Sequence, residues 1–175
     1  MALIESRTDL PVELARVMVD LDVAYIPTPK DLVQQMLYMA QLRRGETLYD
    51  LGAGDGRILI EAARRFGAKP VGIELDPRRV GRIRERLKAT GVVAEVIEGD
   101  FMEIDLSKAD VVTIYLSESA NAKLAPKLRN ELKDGTRVVS LDYDLPGWLP
   151  DQEITSKSAG LVRKVYLYRI KRLTS

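Results

Sequence analysis

A glycine-rich motif, Asp-x-Gly-x-Gly-x-Gly over residues 50–56, has the clearest chemical meaning in this sequence. It follows a predicted strand and opens a predicted helix. Glycines there let the backbone approach a ligand closely, and the helix N-terminus favours an anionic group. Position 57 is Arg, so the Gly-x-Gly-x-x-Gly spacing of dinucleotide sites is absent, and no Gly-Lys-Ser/Thr of a P-loop follows. By itself the motif fits either a ligand site or a structural turn.

Acidic residues also end the next two predicted strands. Glu74 ends the second strand, where a carboxylate can accept both hydroxyls of a ribose. Asp100 and Phe101 follow the third, and an acid beside an aromatic ring suits an exocyclic adenine amine. Either acid alone fits a solvated strand end, and we expect the protein to fold without the Glu74 carboxylate. Ligand-type residues after three consecutive strands predict a nucleoside site.

The absence of His and Cys excludes several kinds of chemistry in this chain of 175 residues. No Ser-His-Asp triad, thiolate nucleophile, disulfide or metal site built on His or Cys is possible, and we predict no metal. The net charge of +1 gives no overall attraction to nucleic acid or membrane. We find no signal-peptide pattern or membrane-length apolar run, so we expect a cytoplasmic protein without a membrane partner.

Alternating strands and helices must position these residues. Near-continuous apolar strands between amphipathic helices predict a parallel sheet covered on both faces, and the last two strands are too close for a crossover helix. The fold class is therefore α/β, a Rossmann-like doubly wound seven-stranded sheet, mostly parallel with a C-terminal antiparallel hairpin. The predicted strands are 47–51, 70–75, 93–97, 110–116, 136–141, 151–157 and 161–170, and the predicted helices between them are 57–66, 77–90 and 117–133. Pro126 predicts a break or restart in the last helix.

We predict one domain over residues 1–175, with a helical N-terminal extension over 1–45 and a cofactor-binding core over 46–175. The extension contains a predicted helix over 11–22 and a second helix that ends at Gly45. Thr28 is the predicted N-cap of that second helix, with Pro29 at its first position and Asp31 completing a capping-box spacing.

The motif at 50–56, Glu74, Asp100 and the closing hairpin resemble the class I (seven-strand) S-adenosylmethionine-dependent methyltransferases, over about residues 25–170. A narrower similarity is to the archaeal broad-specificity protein-lysine methyltransferases, a group related to mitochondrial lysine methyltransferases of eukaryotes. It is carried by Tyr-Ile-Pro-Thr-Pro at 25–29, Asp-Val-Val-Thr-Ile-Tyr-Leu at 110–116 and Gly-Thr-Arg-Val-Val-Ser at 135–140.

This resemblance implies S-adenosylmethionine as the cofactor. It implies that the glycine motif with its aspartate holds the methionine part, Glu74 the ribose, and Asp100 with Phe101 the adenine. Tyr25 and Thr28 would close over the cofactor, and the end of the fourth strand would lie beside the transferable methyl group. The implied cofactor-binding residues are Tyr25, Thr28, Asp50, Gly52, Ala53, Gly54, Gly56, Glu74, Leu75, Asp100, Phe101 and Tyr115.

The acceptor side is predicted from the segment 142–148 after the fifth strand. Carboxylates and aromatic faces attract an incoming ammonium, so Tyr115, Asp142 and Tyr143 are the candidate catalytic residues. The same segment equally fits an ordinary loop with Trp148 packed on the core. No Asn/Asp-Pro-Pro-aromatic motif follows the fourth strand, which argues against methylation of exocyclic base amines. We expect protein substrates with exposed lysines; RNA, a small molecule, or a role as a cofactor-binding subunit are the alternatives.

A group of cations lies outside the apolar stripe of the helix predicted over 77–90. We interpret this group as a solvated face, and the alternative is a phosphate-binding patch for RNA. Its members are Arg78, Arg79, Arg82, Arg84, Arg86 and Lys88. The sequence does not indicate an oligomeric state.

Overall fold

The computed structural model describes residues 27–172. The predicted helix over 11–22 and Tyr25 therefore lie outside the described residues. The helices of the described part are α1 Lys30–Met39, α2 Arg57–Phe66, α3 Pro77–Thr90 and α4 Glu118–Glu131. The strands are β1 Thr47–Leu51, β2 Lys69–Glu74, β3 Glu95–Glu98, β4 Val111–Ile114, β5 Arg137–Leu141, β6 Gln152–Ser158 and β7 Leu161–Arg169.

The seven strands form one sheet in the order β3-β2-β1-β4-β5-β7-β6. β1 to β5 are parallel, whereas β7 runs antiparallel to both β5 and β6. This confirms the predicted α/β class and its C-terminal hairpin. The strand order reverses between β1 and β4, and in open α/β sheets ligands bind outside the carboxyl ends of strands at such a reversal. That edge of the sheet is called the carboxyl edge below.

Helices cover both faces of the sheet, so the strands in the middle of the sheet are buried on both sides. Every residue of β4 and β5 is buried, as a strand covered on both faces requires. On one face, Leu32 and Met36 of α1 pack with Ile58 of α2. On the other face, Leu124 and Leu128 of α4 lie in a second apolar cluster. The sheet therefore lies between two apolar clusters.

The start of α1 differs from the prediction. Pro29 is the N-cap residue and no side chain caps the helix, so the capping box predicted from Thr28 and Asp31 is wrong. The Asp31 carboxylate instead accepts a hydrogen bond from the Ser158 hydroxyl of β6 at 3.0 Å. A tertiary contact with a distant strand has replaced the local one.

The end of α1 also differs, because the helix stops at Met39 and not at Gly45. Gln41 has a φ of 51°, in the left-handed region. The N–H groups of Gln41 and Leu42 then bond to the carbonyls of Tyr38 and Leu37, the pattern of a Schellman motif. This motif provides hydrogen bonds to the last carbonyls of the helix without a glycine, so Gly45 does not mark the end of α1.

The break predicted at Pro126 is also wrong, because α4 continues through it. A proline inside a helix costs about 3 kcal/mol. Leu124 and Leu128, on either side of it, are fully buried, and each such burial contributes roughly 1.5–3 kcal/mol. Ser117 caps the helix by accepting from the Ala120 N–H. Packing on the sheet therefore outweighs the lost hydrogen bond.

Two strands begin or end two residues away from their predicted bounds. β3 begins at Glu95 because Val93 is 89% exposed and pairs with no strand. β4 ends at Ile114, so Tyr115 and Leu116 lie in the loop that follows it at the carboxyl edge. Within residues 27–172, no helix has the length and apolar character needed to span a bilayer.

Candidate active site

The turn between β1 and α2, residues 52–56, is called the glycine loop here, and its backbone requires glycine at three positions. Gly52, Gly54 and Gly56 have φ values of 79°, 61° and 78°, which L side chains rarely adopt. The N–H groups of Gly52 and Ala53 both donate to the Ile73 carbonyl of β2 at 2.9 Å. The loop is thereby fastened to the carboxyl edge, and it is tightly packed: a Cβ at Gly52 would lie 3.2 Å from Leu116, and one at Gly56 would lie 3.0 Å from Ile83.

Glu74, at the end of β2, is buried and organises this loop. It is only 5% exposed, and its carboxylate accepts from the Gly54 N–H at 2.9 Å and the Asp76 N–H at 3.0 Å. Arg79 of α3 lies 3.8 Å from the same carboxylate. Glu74 is therefore not a solvated strand-end residue, and folding without its carboxylate stays a prediction. Each carboxylate oxygen has a second lone pair, so Glu74 can still accept from ribose hydroxyls.

Asp50, next to last in β1, is a second buried acid near this site. It is 4% exposed and accepts a hydrogen bond from the Thr113 hydroxyl of β4 at 2.8 Å. Burial raises the pKa of Asp50 to about 7; the Thr113 hydroxyl opposes the rise, whereas the charges of Glu74 and Asp55 add to it. A carboxylate in this state is strongly stabilised by any ligand that brings a positive charge.

Asp55 connects the glycine loop to two arginines. Its carboxylate pairs with Arg57 at 2.6 Å and with Arg86 of α3 at 2.9 Å. Burial opposes the change, but the hydrogen bonds and charges of these arginines lower the pKa of Asp55 to about 2. Arg57 also donates to the Thr28 carbonyl at 2.7 Å. The Thr28 carbonyl is thus tied to Arg57, the first residue of α2, and its expected contact with the cofactor stays a prediction.

The predicted cofactor-binding residues directly after β2 and β3 are less buried than Glu74. Leu75, directly after Glu74, is 53% exposed, an apolar surface that a flat base can cover. Asp100 is exposed, and its carboxylate accepts from the Met102 N–H at 2.8 Å, which shapes the turn after β3. Phe101 is half-buried against the core. These three residues follow β2 and β3 at the carboxyl edge, on one side of the glycine loop.

Tyr115 and Asp142 follow β4 and β5, and the structure places a third residue with them. Arg163 of β7 donates from Nε to both Asp142 oxygens at 2.9 Å, and its guanidinium carbon lies 5.3 Å from the centre of the Tyr115 ring. Burial raises the pKa of Tyr115; the Arg163 charge opposes this, while Asp142 and Tyr143 add to it. The sequence analysis missed Arg163, since one arginine in a strand gives no local signal.

Tyr143, which the sequence analysis predicted for the acceptor side, lines an open cleft of about 610 Å³, and we call it the acceptor cleft after that prediction. The Tyr143 carbonyl accepts from Asn121 at 3.1 Å and also from the Ser140 hydroxyl. Asn121 is a fully buried residue of α4 that sequence analysis did not single out. The cleft is lined by Ser117, Glu118, Ser119, Ala122, Tyr143 and Pro146.

Trp148 packs on the core, as the ordinary-loop interpretation of 142–148 predicted. It is half-buried and meets Tyr168 edge-on with ring centres 5.7 Å apart, and the guanidinium carbon of Arg129 lies over its ring, 4.9 Å from the ring centre. The segment therefore combines a structural anchor at Trp148 with a tyrosine that faces a cleft. Across residues 27–172, no three acidic side chains cluster in a way that would hold a metal ion.

Comparison with known proteins gives three consistent matches. A family model described as the ANTKMT methyltransferase domain matches residues 50–152. A protein-lysine N-methyltransferase of Saccharolobus islandicus (strain REY15A) is 42% identical over 85% of this chain and 94% of its own length. An adenine nucleotide translocase lysine N-methyltransferase of Mus musculus is 36% identical over 77% of this chain, which spans only 59% of that relative.

A solved structure is equally similar but carries a different name. It is described as an RNA methyltransferase from Salinibacter ruber in complex with S-adenosyl-L-homocysteine. It is 45% identical, with a TM-score of 0.79 over 86% of this chain and 97% of the other. S-adenosyl-L-homocysteine is what remains of S-adenosylmethionine after its methyl group has left.

Proposed function

This chain belongs to the family of the ANTKMT methyltransferase domain and is an S-adenosylmethionine-dependent methyltransferase, and from that premise we propose that it methylates lysine side chains of proteins. The single observation that carries the acceptor is the Saccharolobus islandicus relative named a protein-lysine N-methyltransferase. A match of 151 residues within a chain of 175 necessarily includes β1 to β5. The likeness therefore extends from the cofactor side of the sheet to the acceptor side.

We propose that the glycine loop and Asp50 hold the amino-acid part of the cofactor. The loop glycines carry no side chain that would keep a ligand from the backbone, and Asp50 is a buried carboxylate whose described neighbours are the Thr113 hydroxyl and two other acids. A cofactor ammonium would bring a positive charge to this group. When bound, S-adenosylmethionine supplies an electrophilic methyl group on a sulfonium. Glu74 is assigned to the ribose hydroxyls, because it is the buried acid on the next strand.

The adenine is assigned to the open end of the same edge. Leu75 offers an exposed apolar surface after β2, and Phe101 is half-buried after β3, the strand next to β2. The Asp100 carboxylate has acceptor capacity beyond its bond to the Met102 N–H, which suits an exocyclic amine. Thr28, held by Arg57, would cover the cofactor from the side of α1.

We assign the acceptor lysine to the acceptor cleft and to the end of β4. Glu118 and Tyr143 line the cleft, and a carboxylate with an aromatic ring attracts an ammonium group. Tyr115, Asp142 and Tyr143 are the proposed catalytic residues. Methyl transfer is an in-line displacement, so positioning of the amine accounts for much of the rate. The amine must be neutral to attack, and because the chain has no His to act as a base we propose that the proton leaves to solvent.

RNA is the second candidate acceptor, favoured by the name of the Salinibacter ruber structure. The cations of α3 would be its natural phosphate contacts, but several of them already have partners within this chain. Arg86 pairs with Asp55, Arg79 with Glu74, and Arg84 donates to the Val96 carbonyl. This use of the arginines supports a protein acceptor over RNA.

The decisive experiment uses the purified chain with methyl-labelled S-adenosylmethionine and a mixture of cellular protein and RNA. Separate aliquots are treated with protease or nuclease, and the protein fraction is digested for mass spectrometry. We expect label in the protease-sensitive fraction, on lysine side chains. The control is Glu74→Gln, which keeps the shape of the buried acid but removes its charge and should lose most of the label.

Label confined to the nuclease-sensitive fraction would overturn the protein-lysine proposal and leave the cofactor site intact. Label on protein at residues other than lysine would overturn it equally. Equal labelling by wild type and Glu74→Gln would instead contradict the assignment of the ribose to Glu74.

A further inference from the structure

Arg163 is a buried cation that none of the proposed roles above uses. Its side chain is 7% exposed, and it lies on β7 beside the ends of β4 and β5. Burying a guanidinium loses much of its hydration, and apolar residues of similar size are often as stabilising in such places. β7 has Val165 and Leu167 on the same face. An apolar residue at position 163 would continue this apolar face, so stability alone does not explain an arginine there.

The contacts of Arg163 use both the charge and the planar shape of the guanidinium. Nε donates to both oxygens of Asp142 at 2.9 Å, and Nη2 lies 2.7 Å from Oδ2. The same group stands 5.3 Å from the centre of the Tyr115 ring. Lysine can provide the charge but neither the paired hydrogen bonds nor the flat contact with a ring. The site is therefore specific for arginine.

Asp142 is held in a conformation that it would rarely adopt alone. Its φ is 65°, in the left-handed region, and its N–H donates to the Lys164 carbonyl at 2.7 Å. Tyr143 follows directly and lines the acceptor cleft. Whatever fixes Asp142 therefore also fixes the direction in which the chain presents Tyr143.

We infer that Arg163 is a positioning residue for methyl transfer: it fixes Tyr115 directly and Tyr143 through Asp142, and so sets the geometry in which the acceptor amine meets the methyl group. The inference rests on the proposed function. It also reassigns Asp142, whose carboxylate is engaged by Arg163 and steers the ammonium less than the two tyrosines do. Arg163 itself touches neither substrate nor cofactor in this assignment.

The chain offers a matched control for a test of this role. Arg137 of β5 is also a buried arginine, 10% exposed, and it pairs with Glu46. It lies at the start of β5, at the opposite edge of the sheet from Tyr115 and Asp142. Arg163→Lys and Arg137→Lys therefore make the same chemical change in two buried ion pairs, of which only one adjoins the proposed site.

The experiment measures kcat, KM for a protein substrate, the Kd of S-adenosylmethionine and thermal unfolding for both variants. We expect Arg163→Lys to lower kcat on the order of 10²-fold, the scale of a misplaced reacting group, with KM and Kd changed by less than about threefold. Arg137→Lys should lower the unfolding temperature similarly and leave kcat within about twofold. Equal kcat values for the two variants would overturn the inference, as would a loss of cofactor affinity that accounts for the whole effect.

Two further variants keep the test decisive if Arg163→Lys does not fold. Tyr115→Leu removes the ring beneath the guanidinium without touching the ion pair, and it should reproduce the loss of kcat. Asp142→Asn weakens the ion pair from the other side and should do the same, whereas normal kcat in both variants overturns the inference. If wild type labels only RNA, the proposed function fails, and the same comparison made on RNA still decides the role of Arg163.

Discussion

The buried Asp50 should make the stability of the cofactor-free protein fall as the pH rises through neutrality. Its pKa is raised to about 7 in the folded protein, against about 3.9 for an unfolded aspartate. Between these values the folded state binds more protons than the unfolded state, so the free energy of unfolding decreases with pH. From about pH 5.5 to about pH 8 the expected loss is about 2 kcal/mol.

This chain is well suited to the measurement, because it contains no His and no Cys. Those are the side chains that ordinarily titrate between about pH 6 and pH 9, so the slope in this window reports mainly on Asp50. The assay is urea unfolding at several pH values for wild type and Asp50→Asn. We expect the variant to lose the slope and to be more stable than wild type at about pH 8, by up to about 4 kcal/mol if the amide fits as well.

The matched control is Asp110→Asn. Burial alone would raise the pKa of Asp110. The hydrogen bonds from Lys133 and the Thr47 N–H, together with the charge of Lys133, outweigh burial and hold this pKa below its ordinary value. The stability contributed by Asp110 is therefore complete above about pH 4 and is lost only below it, so this variant should keep the wild-type slope. If Asp50→Asn and wild type show the same slope between pH 5.5 and pH 8, the reasoning from burial is refuted. Asp50→Asn should also lower the affinity for S-adenosylmethionine, although it raises the stability of the cofactor-free protein.

Four other outcomes follow from the site. Glu74→Gln should weaken S-adenosylmethionine binding in calorimetry by about 1–3 kcal/mol, and unchanged affinity would remove Glu74 from the site. The specificity constant kcat/KM should rise with pH from about 7 to about 9, because the neutral fraction of the acceptor amine rises; a flat profile would contradict an amine acceptor. Glu118→Gln should raise KM for lysine peptides a few-fold at low salt and less at high salt, and a salt-independent change would argue against attraction by its charge. Replacing Arg82 and Lys88 with Gln should leave protein methylation nearly unchanged, whereas a loss confined to RNA would favour the second candidate.

The sequence determined the fold and predicted which residues hold the cofactor. Alternation of apolar strands with amphipathic helices is a local pattern, and it predicted the seven-stranded sheet with its antiparallel end. The glycine spacing and Glu74 are equally local, since each residue sits at the end of its own strand. A parallel sheet then brings the ends of β1, β2 and β3 to one edge whatever the details of packing.

Tertiary structure decided what depends on residues far apart in the chain. Asp31 caps no helix because Ser158 lies beside it, and Pro126 breaks no helix because the leucines around it are buried. Glu74 contacts the glycine loop because folding buries its carboxylate next to the Gly54 N–H, 20 residues away in the chain. The contact of Arg163 with Asp142 joins residues 21 positions apart, and it forms only because β7 lies next to β5 in the sheet. Burial and long-range pairing set the energies at these positions, and neither can be read from the neighbouring residues.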